Sequence, residues 1–407
     1  MKTLSSRLWG GDDTFGREME IIISQVDNVL SCICLAVAVA GSIYAIAAKE
    51  LVRRFSLGSS PKCHSTPAVT ALKPLHGDEP HLYECLRSFC RQNYAGPLQI
   101  IFGVGDPSDP AVNVVRRLMT EFADADISLV IEPCVHGANR KIANLINMSR
   151  FIRHDILVIA DSDIQVSPDY LSCVVGALES PGTGMATCLY CGVPGRGIVA
   201  HLAAMAIDYH FLPSILVGLR LGMARPAFGS TIALSRQMYD RIGGFRAFAD
   251  QLADDNAMGE AVRRTGARVA VPCMLVAHVF PKQKPSDLLN RELRWARTIR
   301  AVDGPGFLAA LVIHPLPFAL AAMILGNFDA ISVLMVTGVL YSRLNLERQI
   351  DAMIGKGSFR WALGPLRDLL SFLVHVASFF VSTVKWRDQR YKVCANGTLV
   401  CLRTSKP

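Results

Sequence analysis

Twenty consecutive residues from Val29 to Ala48 carry no charge, a length that spans the hydrocarbon core of a bilayer. Lys49, Glu50, Arg53 and Arg54 follow the run, and Asp12, Asp13, Glu18, Glu20 and Asp27 precede it. The run starts late, is long and has an acidic leader, so it reads as an uncleaved anchor (29–48) rather than a signal peptide. Arg53 and Arg54 predict a cytosolic domain after it and a non-cytosolic segment, residues 1–28, before it. A second apolar block, Gly306 to Tyr341, is interrupted near Gly326-Asn327-Phe328-Asp329 and predicts a membrane hairpin. A third, Trp361 to Val384, carries Arg367 and Asp368 near its start. It either spans or lies along the interface with those charges among the headgroups. The basic tail from 385 to 407, with Lys385, Arg387, Arg390 and Lys392, favours an even number of crossings after the central domain.

Between these blocks, residues 66–301 read as one α/β domain. β-rich apolar runs recur at Ala68–Leu72, Leu98–Val104, Ser128–Glu132 and Ile156–Ala160, and helical patterns cover Pro80–Gln92 and Ala111–Ala123. Alternation of this kind predicts a parallel sheet with crossover helices. Ligands of such sheets collect at the carboxyl ends of the strands, where Gly105-Asp106 and Asp161-Ser162-Asp163 fall. The apolar stretch Ile198–Leu221 holds Asp208, His210 and Pro213. It predicts an amphipathic helix pair against the bilayer, divided at Pro213, with a further span as the alternative.

Composition agrees with a membrane protein: of 407 residues, 51% are apolar and only 19% charged. The net charge of +8 is spread along the chain. It suits a surface facing anionic lipid, and no basic stripe interleaved with aromatics points to nucleic acid. The twelve cysteines are scattered, without a disulfide framework. Cys188 and Cys191 have zinc-like spacing but no second pair, so core packing is the better reading.

The chemistry begins at Asp161-Ser162-Asp163. On an extended segment side chains two apart share a face, so both carboxylates can meet one divalent cation, Mg2+ or Mn2+, which leaves coordination positions open for phosphate. Four constellations accompany it. Lys73-Pro74-Leu75-His76-Gly77-Asp78-Glu79-Pro80 closes the first strand, and its acidic residues serve either a ribose or a helix start. Asp106 stands in a turn cluster, where it is either a uracil contact or a turn residue. Lys141, in His136 to Leu145, is available to a phosphate or sugar, or belongs to a basic helix face. Asp254-Asp255 is followed by Arg291, Arg294 and Trp295, whose i, i+3, i+4 spacing puts them on one helix face. Arg clamps phosphate and Trp offers a flat wall, although Arg-x-x-Arg-Trp before a membrane segment also reads as an interfacial anchor. His278 follows a strand-like run, Val269–Ala277, as a metal ligand or a strand-end polar residue.

Asp161/Asp163, Asp255 and Arg294-Trp295 ahead of apolar helices, in that order, resemble the membrane-bound GT-A glycosyltransferases. Lys73-Pro74-Leu75, Asp109-Pro110-Ala111, Asn139 to Leu145, Gly243-Gly244-Phe245, Trp386-Arg387 and Arg390-Tyr391 extend the likeness. With them the chain resembles the ceramide glucosyltransferase family, and most closely its bacterial hopanoid-biosynthesis-associated branch. The resemblance implies a GT-A fold, a UDP-sugar donor, a divalent cation and a membrane lipid acceptor (a hopanoid alcohol or ceramide). It also implies a multi-pass protein of the bacterial inner membrane with its catalytic domain on the cytosolic side. By the same resemblance Asp161 takes the metal and pyrophosphate role and Asp255 is the base. Lys73, Asp78, Glu79, Asp106, Lys141, Arg291, Arg294 and Trp295 fall to the donor and acceptor site. Three departures stand out: Glu79 beside Asp78 in place of a single Asp, Asp163 where relatives have Gly, and Arg291 in place of Gln. Transfer with inversion is expected. The rival readings are a processive polysaccharide synthase, which needs more membrane passes, and a lipid-binding protein on a dead transferase scaffold.

Overall fold

The computed structural model describes residues 13–407 except 62, 78, 80, 356–361, 381–382, 387–388, 394–398 and 403–407, and side chains from 17 to 380 within that set. Asp78 and Trp361 therefore lie outside the described residues.

Among the described residues, ten strands build the central domain. They are β1 (Val69–Pro74), β2 (Leu98–Val104), β3 (Asp126–Ile131), β4 (Ile156–Ile159), β5 (Ile164–Gln165), β6 (Thr183–Ala186), β7 (Leu189–Pro194), β8 (Ile232–Ser235), β9 (Arg268–Ala270) and β10 (Leu275–Phe280). The main sheet has the order β3-β2-β1-β4-β8-β6-β9, and a small sheet has the order β5-β10-β7. β1 is buried along its whole length, and β2 and β4 along all but their first residue, as expected of apolar strands covered on both faces. Val69, Ala71, Ile100, Phe102 and Val158 pack one way, against Leu86, Phe89 and Val115. Leu72, Ile101, Leu157 and Ile159 pack the other way, against Ile142, Leu145 and Val262.

The sheet is mixed rather than parallel, because β8 runs antiparallel to both β4 and β6. Its four residues are too short a run to announce a strand. The run Val269–Ala277 also divides: β9 joins the main sheet while β10 joins the small one, and His278 lies inside β10, paired with Ile164 of β5 and Gly192 of β7.

Around this domain lie helices of a different character. One helix runs from Asp13 to Leu57, about 67 Å at 1.5 Å per residue, and contains the anchor run. Ile21, Ile22, Val29, Ile33, Ile43 and Ile46 along it are exposed. Among the described residues, it and Ile198–Arg220 are the two helices long and apolar enough to cross a membrane. The segment 198–220 is one helix with a π-helical turn at Ile207–Phe211, and Pro213 sits in the first turn beyond it. Pro213 thus lies within a continuous helix rather than ending it: its missing N–H leaves the Tyr209 C=O without a ladder donor, and the Arg343 guanidinium donates to that carbonyl at 3.3 Å. Helices Gly304–Ala309 and Pro315–Leu325, with a 3₁₀ turn at Ala310–Ile313 between them, form an arm bent by 61° at His314. The interruption at 326–329 falls where expected, and the next helix, Ala330–Ile354, runs well past Tyr341. The 385–407 segment is not a simple tail: backbone strands β11 (Thr383–Trp386), β12 (Gln389–Val393) and β13 (Leu399–Leu402) form an antiparallel sheet.

The third block becomes helix Gly364–Phe380, and here the expectation of headgroup charges fails. Arg367 and Asp368 are 1% and 2% exposed. Both are paired inside the protein, because two adjacent charges of opposite sign find matching partners on neighbouring helices.

Candidate active site

A cavity of about 910 Å³ opens at the carboxyl ends of β1, β2 and β4, a size suited to a nucleotide-sized ligand. Asn139 starts one wall. Its side chain caps helix Arg140–Ser149 by accepting the N–H groups of Lys141 and Ile142, and donates to Gln251 C=O (2.8 Å) and Asp254 Oδ1 (3.1 Å). Lys141 is thereby held in the first helical turn with its Nζ 2.7 Å from Asp161 Oδ1 and 3.3 Å from Asp254 Oδ2. Burial alone would lower the Lys141 pKa, but the carboxylates of Asp161, Asp254 and Asp255 outweigh it and hold the ammonium well above its usual range.

Asp255 stands at the start of helix Asp254–Arg264. Its Oδ2 accepts Gly229 N–H (2.9 Å) and its Oδ1 accepts Asn256 N–H (2.8 Å). Burial, reinforced by the charge of Asp254, pushes its carboxyl up to about 6 against the pull of Lys141. Gly229 also accepts Asp161 N–H through its carbonyl (3.1 Å). A Cβ on Gly229 would lie 2.7 Å from Asp161 Oδ2 and 2.9 Å from Lys141 Nζ. One glycine thus links the two acidic motifs.

The opposite side of Asp161-Ser162-Asp163 is unfinished. Asp163 Oδ2 lies 3.5 Å from His278 Nε2, while Asp163 Oδ1 and Glu79 Oε2 are buried without hydrogen-bond partners among the described residues. Burial raises the Glu79 carboxyl to about 7, with Asp163 adding to it and a hydrogen bond from Ser162 opposing it. Among the described residues, no three His, Cys, Asp or Glu side chains are gathered closely enough to hold an ion together. The two Asp-x-Asp carboxylates therefore take different partners here, Lys141 for Asp161 and His278 for Asp163. Carboxylate oxygens such as those of Asp161 and Asp163 are nonetheless the donor type that a hard cation takes, and Asp163 Oδ1 has no hydrogen-bond partner among the described residues.

Helix Pro285–Val302 supplies the third wall. Arg291, Arg294, Trp295 and Thr298 all line the cavity, following the i, i+3, i+4, i+7 spacing of one helix face. The Arg291 guanidinium sits over the rings of Phe280 (4.6 Å) and Trp295 (5.8 Å) and bonds Gln283. Burial lowers its pKa. Tyr190, stacked on Phe211 at 4.6 Å, and Phe228 add an aromatic floor.

The structure therefore gathers Glu79, Asp106, Lys141, Asp161, Asp163, Asp255, Arg291, Arg294 and Trp295 around one space. Asp106 stands at the exposed rim, where Ser108 N–H and Oγ donate to it and depress its pKa. Lys73 is a correction. It is fully buried and does not line the cavity. Its Nζ donates to the carbonyls of Asp161 (2.5 Å) and Ile164 (3.5 Å) and rests 3.9 Å from the Phe89 ring centroid. Side chains alternate along a strand, and Lys73 points to the face opposite its apolar neighbour Leu72, so it supports the Asp161–Ile164 turn from beneath. Burial lowers its pKa to about 8. Sequence reasoning missed Asn139 as the tie to Asp254, Asp254 as a partner of Lys141, Tyr190 and Gly229. Asn139 carried a signal, an Asn directly before a helical pattern; Gly229 carried none.

The domain has the GT-A fold of glycosyltransferases. A mannosyltransferase from Pyrobaculum calidifontis, solved with GDP-Man and Mn2+, superposes with a TM-score of 0.51 at 20% identity, covering 86% of this chain and 98% of that one. The model of glycosyl transferase family 21 matches residues 33–399, and the chain belongs to that family. Ceramide glucosyltransferase 1 of Caenorhabditis elegans is 22% identical over 354 residues, 84% of this chain and 74% of that protein. The ceramide glucosyltransferase of Candida albicans is 31% identical over 122 residues, 27% of this chain and 22% of that protein.

Proposed function

We propose that this glycosyltransferase moves a sugar from a UDP-sugar to the hydroxyl of a membrane lipid, a ceramide or a hopanoid alcohol, with inversion. The observation that carries the reading is Asp255. Its carboxyl, raised to about 6, lines the same cavity as Arg294 and Trp295, on a helix that leads directly into the bent apolar arm. A carboxyl titrating there is ionised at neutral pH yet basic enough to take a hydroxyl proton, as a general base requires. Asp255 removes the acceptor proton during in-line attack on the sugar carbon. Arg294 and Lys141 carry positive charge toward the leaving diphosphate, where negative charge develops. Asp161 and Asp163 are the groups that would hold a divalent cation, whose positive charge would stabilise the same leaving group. Asp106 at the rim suits a base contact and Trp295 an acceptor wall.

The anchor helix, the hairpin and helix 364–380 would make the protein multi-pass, with the catalytic domain on the cytosolic face of a bacterial inner membrane. The lipid would approach along the apolar surface of helix 198–220. Incubating the full chain with labelled UDP-glucose or UDP-N-acetylglucosamine and either lipid tests the reading. One lipid-soluble product of fixed size is expected. A polymer would favour the processive synthase, and neither transfer nor donor hydrolysis with any lipid would favour a scaffold.

A further inference from the structure

Arg367 and Asp368, adjacent on helix 364–380, each make a two-pronged ion pair, and the two pairs point to different elements. Arg367 Nη1 and Nη2 donate to Glu292 Oε1 (2.8 Å) and Oε2 (2.7 Å). Asp368 Oδ1 and Oδ2 accept from Arg343 Nη2 (2.7 Å) and Nε (2.9 Å) of helix 330–354. Both arginines also reach carbonyls of helix 198–220. Arg367 Nη1 donates to Leu202 C=O at 3.1 Å, and the Arg343 guanidinium to Tyr209 C=O at 3.3 Å, within the π-helical turn. A π-helical turn breaks the regular ladder, and here its carbonyl is engaged by a side chain. One dipeptide therefore fastens three helices, and all four charged groups are at most 6% exposed.

Glu292 lies between Arg291 and Arg294 and flanks the cavity-facing stripe of helix 285–302. Bidentate pairing of a planar guanidinium with a carboxylate fixes direction as well as distance. Holding Glu292 from the side thus sets the rotation of the helix that presents Arg291, Arg294 and Trp295.

We propose that Arg367, through Glu292, is a positioning residue for sugar transfer, coupling the membrane-side helix to the acceptor wall of the cavity. This rests on the proposed placement of Arg294 and Trp295 at the acceptor and leaving group. Breaking one half of a buried pair leaves an uncompensated charge and can unfold the protein, whereas replacing both halves by apolar groups of similar volume is often tolerated. The decisive variant is therefore Arg367→Met with Glu292→Met, compared with Arg367→Lys, which keeps the charge but not the fork. Full-length proteins in lipid nanodiscs would be assayed for transfer over a range of acceptor concentrations, with thermal unfolding followed in parallel.

We expect the double variant to unfold within a few degrees of wild type, to lose at least tenfold in kcat/KM for the lipid, and to lose it chiefly in KM. Arg367→Lys should fall between the two. A merely structural pair would lower the unfolding temperature and leave the acceptor KM of the folded protein alone. Wild-type kcat/KM in a folded double variant overturns the positioning role while leaving the proposed function intact. A wild-type protein that transfers to no lipid overturns both.

Discussion

Two clusters of charge lie inside this molecule and are built on opposite principles. Around Arg343, Asp368, Arg367 and Glu292 the opposite charges meet in forked pairs, and spare guanidinium protons reach backbone carbonyls. Around Asp161 the carboxylates outnumber the ammonium that serves them, and oxygens of Glu79 and Asp163 are left without partners. A closed set of charges has nothing left to offer a ligand and serves the fold. An open set facing a cavity retains unsatisfied capacity, and the raised carboxyls of Glu79 and Asp255 record what that costs. Mutations should therefore split: activity without stability at the open cluster, and stability without activity at the Arg343–Asp368 pair of the closed one, whose Arg367–Glu292 pair reaches activity only through the helix that it orients.

The largest effect belongs to Asp255→Asn. Loss of a general base typically costs 10²- to 10⁴-fold, so transfer should fall by about that factor while UDP affinity, measured by calorimetry, stays within a few-fold. The sign for stability is opposite. An aspartate whose folded pKa lies above its unfolded value destabilises the protein as pH rises through that interval. The neutral Asn variant escapes that penalty, but its single amide oxygen can accept only one of the two N–H groups of Gly229 and Asn256, so its stability at pH 7.5 should stay within about 1–3 kcal/mol of wild type. For catalysis the ionised form is required, so wild-type kcat should drop as pH falls through about 6, and the residual activity of the variant should lack that limb. A variant with wild-type turnover removes Asp255 from the chemistry.

Arg343→Met tests the closed cluster. It leaves the buried Asp368 carboxylate without its arginine, with the His210 Nε2 still 3.1 Å away, which costs up to about 3–5 kcal/mol and should appear as a large drop in thermal unfolding temperature. The fraction that remains folded should transfer sugar with a kcat within about twofold of wild type. A folded, thermally normal variant would mean that the pair is far weaker than its geometry implies.

Gly229→Ala sits between the extremes. The added methyl group meets Asp161 Oδ2 and Lys141 Nζ, and both must shift by a few tenths of an ångström. Misplacement on that scale at a reacting centre is costly, so kcat/KM should fall about tenfold with little change in unfolding temperature. Unchanged kinetics would show that the Asp161–Lys141 contact is looser in solution than in the structure.

The same division explains what the sequence could disclose. The helix-face spacing of Arg291, Arg294 and Trp295 and the anchor run are local patterns, and each formed the element its spacing predicts; Asp161 and Asp163 reached the cavity, but in a turn where they take separate partners instead of sharing one face. Lys73 misled because the family resemblance put it at the donor site, whereas its face of the strand turns under Asp161. Arg367 and Asp368 misled for a related reason. Whether a charge in an apolar helix is solvated or paired depends on partners 75 and 25 residues away, which no local window contains. β8 and the split of β9 from β10 were hidden because strands of three or four residues carry almost no periodic signal. Gly229 was invisible because its role is the absence of a side chain at a place that only the folded chain defines.

The smallest effect sets the baseline for the others. Arg225 Nη1 lies 2.9 Å from Glu260 Oε2, but the arginine side chain is 68% exposed. Glu260 keeps a second partner in Arg263, at 3.0 Å and one helical turn on. An exposed pair of this kind gains little Coulomb energy in water and loses side-chain entropy in forming, so it is worth about 0–1 kcal/mol. Arg225→Ala should leave transfer unchanged and lower stability by no more than about 0.5 kcal/mol, fading further at high salt. If instead it matched Arg343→Met, burial and complete pairing would not be what separates the two kinds of charge, and the contrast between the clusters would lose its physical basis.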